Sequence, residues 1–237
     1  MAQPLQLKTL RVAITGGTSG LGLALVRALH AAGAQVAFVA RDAQRVARTA
    51  AALPGTHGIA GDVSRKDESH RIALQINAAL GGLDVLVNNA SSLGPTPLQL
   101  LADTDCEDLE VALATNLVGP FRLTKALLGA LAASARDGRA ARVVNISSDA
   151  AVTPYARWGA YGASKAALLH LSRIWDEELR EHGVEVIAVD PGDMDTPLHA
   201  AAVPDADPAA LKRPADAAAE IVALIAAPAR AQQGRDA

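Results

Sequence analysis

RVAITGGTSGLG, residues 11–22, joins two stretches that ask for different backbones. Its first half, RVAIT at 11–15, carries β-branched residues that suit a pleated strand. Its second half, TGGTSGLG at 15–22, places Gly16, Gly20 and Gly22 where the chain must turn, and an Ala/Leu-rich segment of helical period follows. A glycine turn that ends a strand and opens a helix lets the backbone approach a pyrophosphate, whose charge the helix N-terminus favours. The same glycines also suit a tight strand-to-helix turn with no ligand.

The alternation continues outward from this stretch. Short apolar runs recur as QVAFVA at 35–40, DVLVN at 84–88, RVVNIS at 142–147 and VEVIAV at 184–189, with a weaker one near HGIAG at 57–61. Between them, helical patterns are predicted at about 20–32, 42–52, 65–80, 106–132, 160–182 and 214–227. Continuous apolar strands alternating with helices predict a doubly wound parallel α/β sheet covered on both faces. No linker or fixed-period repeat divides the chain, so residues 1–237 are read as a single domain. Residues 193–213, rich in Pro, Ala and Asp, are expected to form a flap over a pocket, and the tail 228–237 is expected to be disordered.

Composition narrows the function classes. Half of the 237 residues are hydrophobic, enough to bury a sizeable core, and a net charge of −3 without like-charge runs offers no footprint for nucleic acid or an anionic membrane. The start, MAQPLQLKTL, lacks an apolar leader, and no apolar run has the length of a membrane span, so a cytoplasmic protein is expected. Cys106, the single cysteine, sits in the acidic stretch DTDCED, which disfavours a thiolate. The six histidines are scattered without metal-ligand spacing, and no metal is expected.

YGASK at 161–165 sets Tyr161 and Lys165 one helical turn apart. An ammonium beside a phenol favours the phenolate and would lower its pKa from about 10. Acid–base work near neutrality would then be open to it. The spacing by itself also occurs in helices with no catalytic role.

Taken together, TGxxxGxG at 15–22, Asp62-Val63 after the third strand, NNA at 88–90, Asn116 in a long helix, Ser148, Tyr161-x-x-x-Lys165, Pro191-Gly192 and Thr196 resemble, in order and spacing, the short-chain dehydrogenase/reductase family. Ser148 stands thirteen residues before Tyr161, and the resemblance runs from about residue 8 to 225. It implies a Rossmann-type fold and a hydride transfer between a nicotinamide and a carbonyl or secondary alcohol. On that resemblance Ser148 binds the substrate oxygen, Tyr161 passes the proton, Lys165 holds the nicotinamide ribose and depresses the phenol, and Asn116 anchors a water that leads protons to Lys165. The implied cofactor contacts are Gly16, Thr18, Ser19, Gly20, Leu21, Gly22, Arg41, Asp62, Val63, Asn89, Ala90, Tyr161, Lys165, Pro191, Gly192, Met194 and Thr196. Ser147, one place too far from Tyr161, is assigned to packing.

After the second strand, where an acidic residue would bind the 2′-hydroxyl of NAD, this chain has Ala40 and then Arg41. NADP(H) is therefore favoured and NAD(H) is the alternative, with Asp42 expected to cap the next helix. Ser91 replaces the glycine that usually completes the NNAG element. No seventh strand with a glycine-rich ending follows the last helix, so a homodimer through the helices at 106–132 and 160–182 is expected ahead of a tetramer. Trp158, Arg157, Met194, Leu198, His199, Leu93 and Gly94 are candidate substrate contacts, while Asp193 and Asp195 are expected to cap a helix in the flap. An NAD-linked alcohol dehydrogenase and a non-catalytic dinucleotide sensor are the alternative functions.

Overall fold

The structure, a computed structural model, describes residues 7–228. Six strands, β1 Arg11–Thr15, β2 Gln35–Ala40, β3 His57–Ala60, β4 Val85–Asn88, β5 Arg142–Ile146 and β6 Glu185–Val189, form one parallel sheet in the order β3-β2-β1-β4-β5-β6. The helices are α1 Gly20–Ala31, α2 Ala43–Ala52, α3 Ser69–Leu80, α4 Cys106–Leu113, α5 Gly119–Arg136, α6 Gly159–Leu179, α7 Pro197–Ala202 and α8 Pro214–Ala226.

Strand side chains alternate between the two faces, and the core divides accordingly. In β1, Val12 and Ile14 join Leu25 and Leu29 of α1 and Ile221 and Ile225 of α8. Ala13 between them joins Ile72 and Ile76 of α3 and Leu127 and Leu131 of α5. Each such Leu or Ile contributes about 1.5–3 kcal/mol on burial, which is why every strand in the middle of the sheet is apolar on both sides.

Charge closes the amino-end rim. Asp84 is fully buried and pairs with Arg11 at 2.7 Å and Arg139 at 2.6 Å. Burial opposes its charge, but hydrogen bonds from Arg139 and Arg11 outweigh it and hold the carboxyl well below the usual carboxylate range. Arg142, 1% exposed, pairs with Glu185 at 2.8 Å and donates to the last carbonyls of α8, Leu224 O and Ile225 O. It thereby caps a helix end that carries negative partial charge.

Sheet order reverses between β1 and β4, so the loops leaving these strands diverge and open a crevice at their carboxyl ends. Three predicted elements differ from the structure. The single helix expected over 106–132 is α4, a π-helical turn over Ala114–Val118, and then α5. The helix expected from 65 begins at Ser69, and the one expected to run to 182 ends as α6 at Leu179 with a 3-10 turn over Arg180–His182. Among the described residues the sheet ends at β6, and residues 229–237, after the last helix, lie outside them. Segment 193–213 contains α7 and a parallel bridge between Met194 and Lys212. Residues 229–237 of the expected disordered tail lie outside the described residues.

Candidate active site

Close approach between two loops explains the glycines after β1. Gly16 has φ +71°, and a Cβ there would stand 2.8 Å from Asn89 Nδ2, while one at Gly22 would collide with the Gly16 carbonyl. Thr15 fastens the loop after β4 from the other side, its Oγ1 accepting from Asn89 N at 2.9 Å and Ala90 N at 3.0 Å. Asn89 Nδ2 returns a bond to Thr15 O at 2.9 Å. Ser19 occupies the N-cap of α1 without a side-chain capping bond, whereas Asp42 caps α2 by accepting from Gln44 N at 2.9 Å and Arg45 N at 3.0 Å. The first amides of α1 are thus left for another acceptor, as a bound pyrophosphate requires. This cradle fits a dinucleotide.

A cavity of about 750 Å³ extends from α1 across the strand ends to α7. Gly16, Thr18, Ser19, Gly20, Leu21, Gly22, Arg41, Asp62, Val63, Asn89, Ala90, Ser148, Tyr161, Lys165, Pro191, Gly192, Met194 and Thr196 all line it. Asn116 does not.

Ser148 leaves the end of β5, and Tyr161 and Lys165 lie on the first turns of α6, which packs across β5 and β6. Tyr161 is 7% exposed, its ring edge-on to Trp158 with centroids 5.6 Å apart. Lys165 is 2% exposed, with Nζ 5.5 Å from the Tyr161 ring centroid and donating to Ile146 O at 2.7 Å. Burial pushes the Tyr161 phenol up to about 12, with the hydroxyls of Ser148 and Ser91 pulling it back and Asp190 and Asp149 adding to the rise. Burial likewise brings the Lys165 ammonium down to about 8. The lowered phenol expected from the Tyr–Lys spacing is therefore absent here: desolvation of the ring outweighs the neighbouring ammonium, which faces the ring and is bound to a carbonyl.

Asn116, fully buried in the π-helical turn, is occupied on both ends. Its Oδ1 accepts from Ser92 N at 2.8 Å and Ser91 Oγ at 3.1 Å, and its Nδ2 donates to Ser92 O at 2.7 Å and Ser164 Oγ at 2.8 Å. The side chain thus ties the loop after β4 to α6. The extra residue of the π turn is what aims it there.

Several cavity residues escaped the sequence reading as site residues, Arg45, Asp149 and Tyr155 among them. Arg45 had a signal, since it lies one turn beyond Arg41. Asp149 and Tyr155 had none, because only the bend after β5 brings them together, Tyr155 Oη donating to Asp149 Oδ2 at 2.7 Å. Trp158, Met194, Leu198, His199, Leu93 and Gly94 line the cavity and Arg157 does not. Thr196 rather than Asp193 or Asp195 caps α7, accepting from His199 N at 3.2 Å. Ser147, 5% exposed, also borders the cavity, and its Oγ has no hydrogen-bond partner among the described residues.

A doubly wound sheet with a glycine-lined crevice and a Ser, Tyr and Lys lining it defines a class of nucleotide-binding α/β proteins. Residues 11–207 match the family model described as short chain dehydrogenase, and the chain belongs to that family of oxidoreductases. Galactitol 2-dehydrogenase of Agrobacterium fabrum is 32% identical over 183 residues, which cover 77% of this chain and 69% of that protein. The 3-ketoacyl-(acyl-carrier-protein) reductase of Brucella melitensis, solved with NADH, superposes with a TM-score of 0.85 at 25% identity, covering 96% of this chain and 94% of the other. A short chain dehydrogenase of Shigella flexneri solved with NADP gives the same TM-score of 0.85 and identity of 25%, with 94% of each chain covered.

Proposed function

We propose that the chain binds NADP(H) in this cavity and interconverts a carbonyl and a secondary alcohol, with Tyr161 as the proton donor and acceptor. The observation that carries this reading is that Ser148, Tyr161 and Lys165 line the same cavity as the uncapped N-terminus of α1. When bound, the nicotinamide supplies or accepts the hydride. The first-turn amides of α1 would hold the pyrophosphate, and Lys165, fixed by Ile146 O, would hold the ribose. Tyr161 stays protonated through the physiological range because its phenol is pushed up to about 12, so the ligand-free site is set to give a proton to a carbonyl oxygen. Asn116 is read as the residue that positions the loop after β4 and, as the family resemblance implies, as the anchor of a water that leads protons to Lys165.

Arg41 and Arg45 border the cavity beside Ala40, and the Asp42 carboxylate is engaged by the amides of α2. Two guanidinium groups there suit a 2′-phosphate. NAD(H) is the second reading, favoured by the NADH held in the Brucella relative. We also read the chain as a homodimer through α4, α5 and α6, which leave Val111, Phe121 and Ile174 exposed at 51%, 38% and 42%. Its expected compartment is the cytoplasm.

A spectrophotometric panel tests the proposal: NADPH and NADH against ketones, quinones, β-ketoacyl thioesters and sugars, with Tyr161→Phe as control. Turnover with NADPH that drops by about 10²–10⁴-fold in Tyr161→Phe supports it. Tight NADPH binding without turnover of any carbonyl would point instead to a sensor.

A further inference from the structure

Charges along the cavity are sorted by position. Arg41 and Arg45 border it beyond the end of β2, and Lys165 is enclosed and held by Ile146 O at 2.7 Å. Across the sheet, just beyond the ends of β5 and β6, Asp149 and Asp190 line the wall, both exposed. Asp149 accepts from Tyr155 Oη and Ala150 N, both at 2.7 Å, and Asp190 accepts from Gly192 N at 2.9 Å. These donors are neutral and leave the carboxylate charges uncompensated. Both carboxylates act on the Tyr161 phenol, raising it, so their field reaches the reacting oxygen. The cations nearby do not offset them: His199 Nε2 lies 3.8 Å from a third carboxylate, Asp193, and Lys212, close to Gly192, pairs with Glu220 at 2.9 Å. One side of the Tyr161 ring is apolar. Leu93 and Ala150 are buried with it, Trp158 and Ala202 pack against them, and all four line the cavity.

We propose that the substrate is an uncharged carbonyl compound or alcohol whose apolar group packs against Trp158 and Leu93, and that Asp149 and Asp190 turn away compounds with an anionic group near the reacting carbon. The inference rests on the functional reading above and narrows its substrate class. An alkyl or aryl group beside the carbonyl leaves water for a wall of hydrocarbon and indole, and gains in proportion to the area covered. A carboxylate or phosphate in the same place gives up its water and meets two like charges. Lys165 offers it no counter-charge, because that ammonium is bound to a carbonyl and is read as the partner of the ribose. The guanidinium groups that suit an anion stand across the sheet, on the side of the 2′-phosphate.

Four ketones test this on the full chain: acetophenone, dihydroxyacetone, methyl para-acetylbenzoate and para-acetylbenzoate. Ligand-observed NMR gives Kd for each with the NADP⁺-loaded protein, in which no hydride can move to the ketone. Acetophenone is expected to bind roughly tenfold or more tightly than dihydroxyacetone; Trp158→Ala should cut that ratio by at least about threefold, and Trp158→Phe should keep it. The ester is expected to bind roughly tenfold more tightly than the carboxylate, and Asp149→Asn combined with Asp190→Asn should narrow this gap by about fivefold. Asparagine keeps an acceptor oxygen for the Ala150 and Gly192 amides, which guards the local fold. The unmodified protein gives the same answer without a substitution, because the gap should shrink as ionic strength rises. Tighter binding of dihydroxyacetone, equal affinity for ester and carboxylate, or a gap that neither the double variant nor salt alters overturns the proposal. Absence of turnover of any of these ketones with NADPH would defeat the functional reading, and the affinity ratios would still decide which class of compound the cavity prefers.

Discussion

Lys165 Nζ donates to the main-chain oxygen of Ile146 at 2.7 Å, so the ammonium of α6 is held at the end of β5 before any ligand arrives. The group is fully enclosed, and burial lowers it to about 8. Its charge is therefore present below pH 8 and lost above it. Affinity for NADPH is expected to fall as pH rises from 7 through 9, and Lys165→Met is expected to remove that dependence while weakening binding at pH 7. Fluorescence titration across this range is the check.

Arg41, just before the cap of α2, and Arg45, in its first turn, border the cavity. Replacing both with alanine is expected to raise the Kd for NADPH by roughly tenfold or more, as loss of charge-assisted bonds to a phosphate would, and to leave the Kd for NADH within about twofold. Parallel weakening of both cofactors would show that these side chains do not read the 2′-phosphate.

Asn116 makes four hydrogen bonds from a buried position. Asn116→Ala leaves the Ser92 amide and carbonyl short of partners, and a loss of about 2–4 kcal/mol in urea unfolding is expected. Its catalytic effect should appear as a raised KM for cofactor, since the loop after β4 is what it holds. Unchanged stability with lost kcat would contradict a positioning role.

Asp84, paired with Arg11 and Arg139, is ionised well into acid. Because its folded pKa lies below its unfolded value of about 3.9, its contribution is complete above that pH and declines as pH falls toward the folded value. Asp84→Ala strands two guanidinium groups and is expected to cost about 3–5 kcal/mol at pH 7. The difference from wild type should shrink below pH 4, as measured by thermal unfolding.

Most of the fold was legible because strand and helix periods alternate cleanly and the glycine turn punctuates the first crossover. The boundary errors came where local pattern gives no sign: Ala114 to Val118 have ordinary helical propensity, and the π turn within them follows from how Asn116 bonds to a loop more than twenty residues earlier. Spacing brought out Ser148, Tyr161 and Lys165. It gave the wrong direction for the phenol, because desolvation depends on how deeply α6 buries Tyr161 and the sequence carries no measure of that depth. Nothing in the sequence pairs Asp149 with Tyr155, because they meet across a bend, outside any helical or strand period.

The widened turn at Ala114–Val118 makes this region sensitive to chain length as well as to chemistry. Removing one residue there would let an uninterrupted α-helix re-form with the faces of α4 and α5 kept, so Cys106 and Val111 would stay on their sides. What the deletion would take away is the widened turn from which Asn116 reaches Ser92 and Ser164. The loop after β4 would lose that tie although the helices on either side still packed as before.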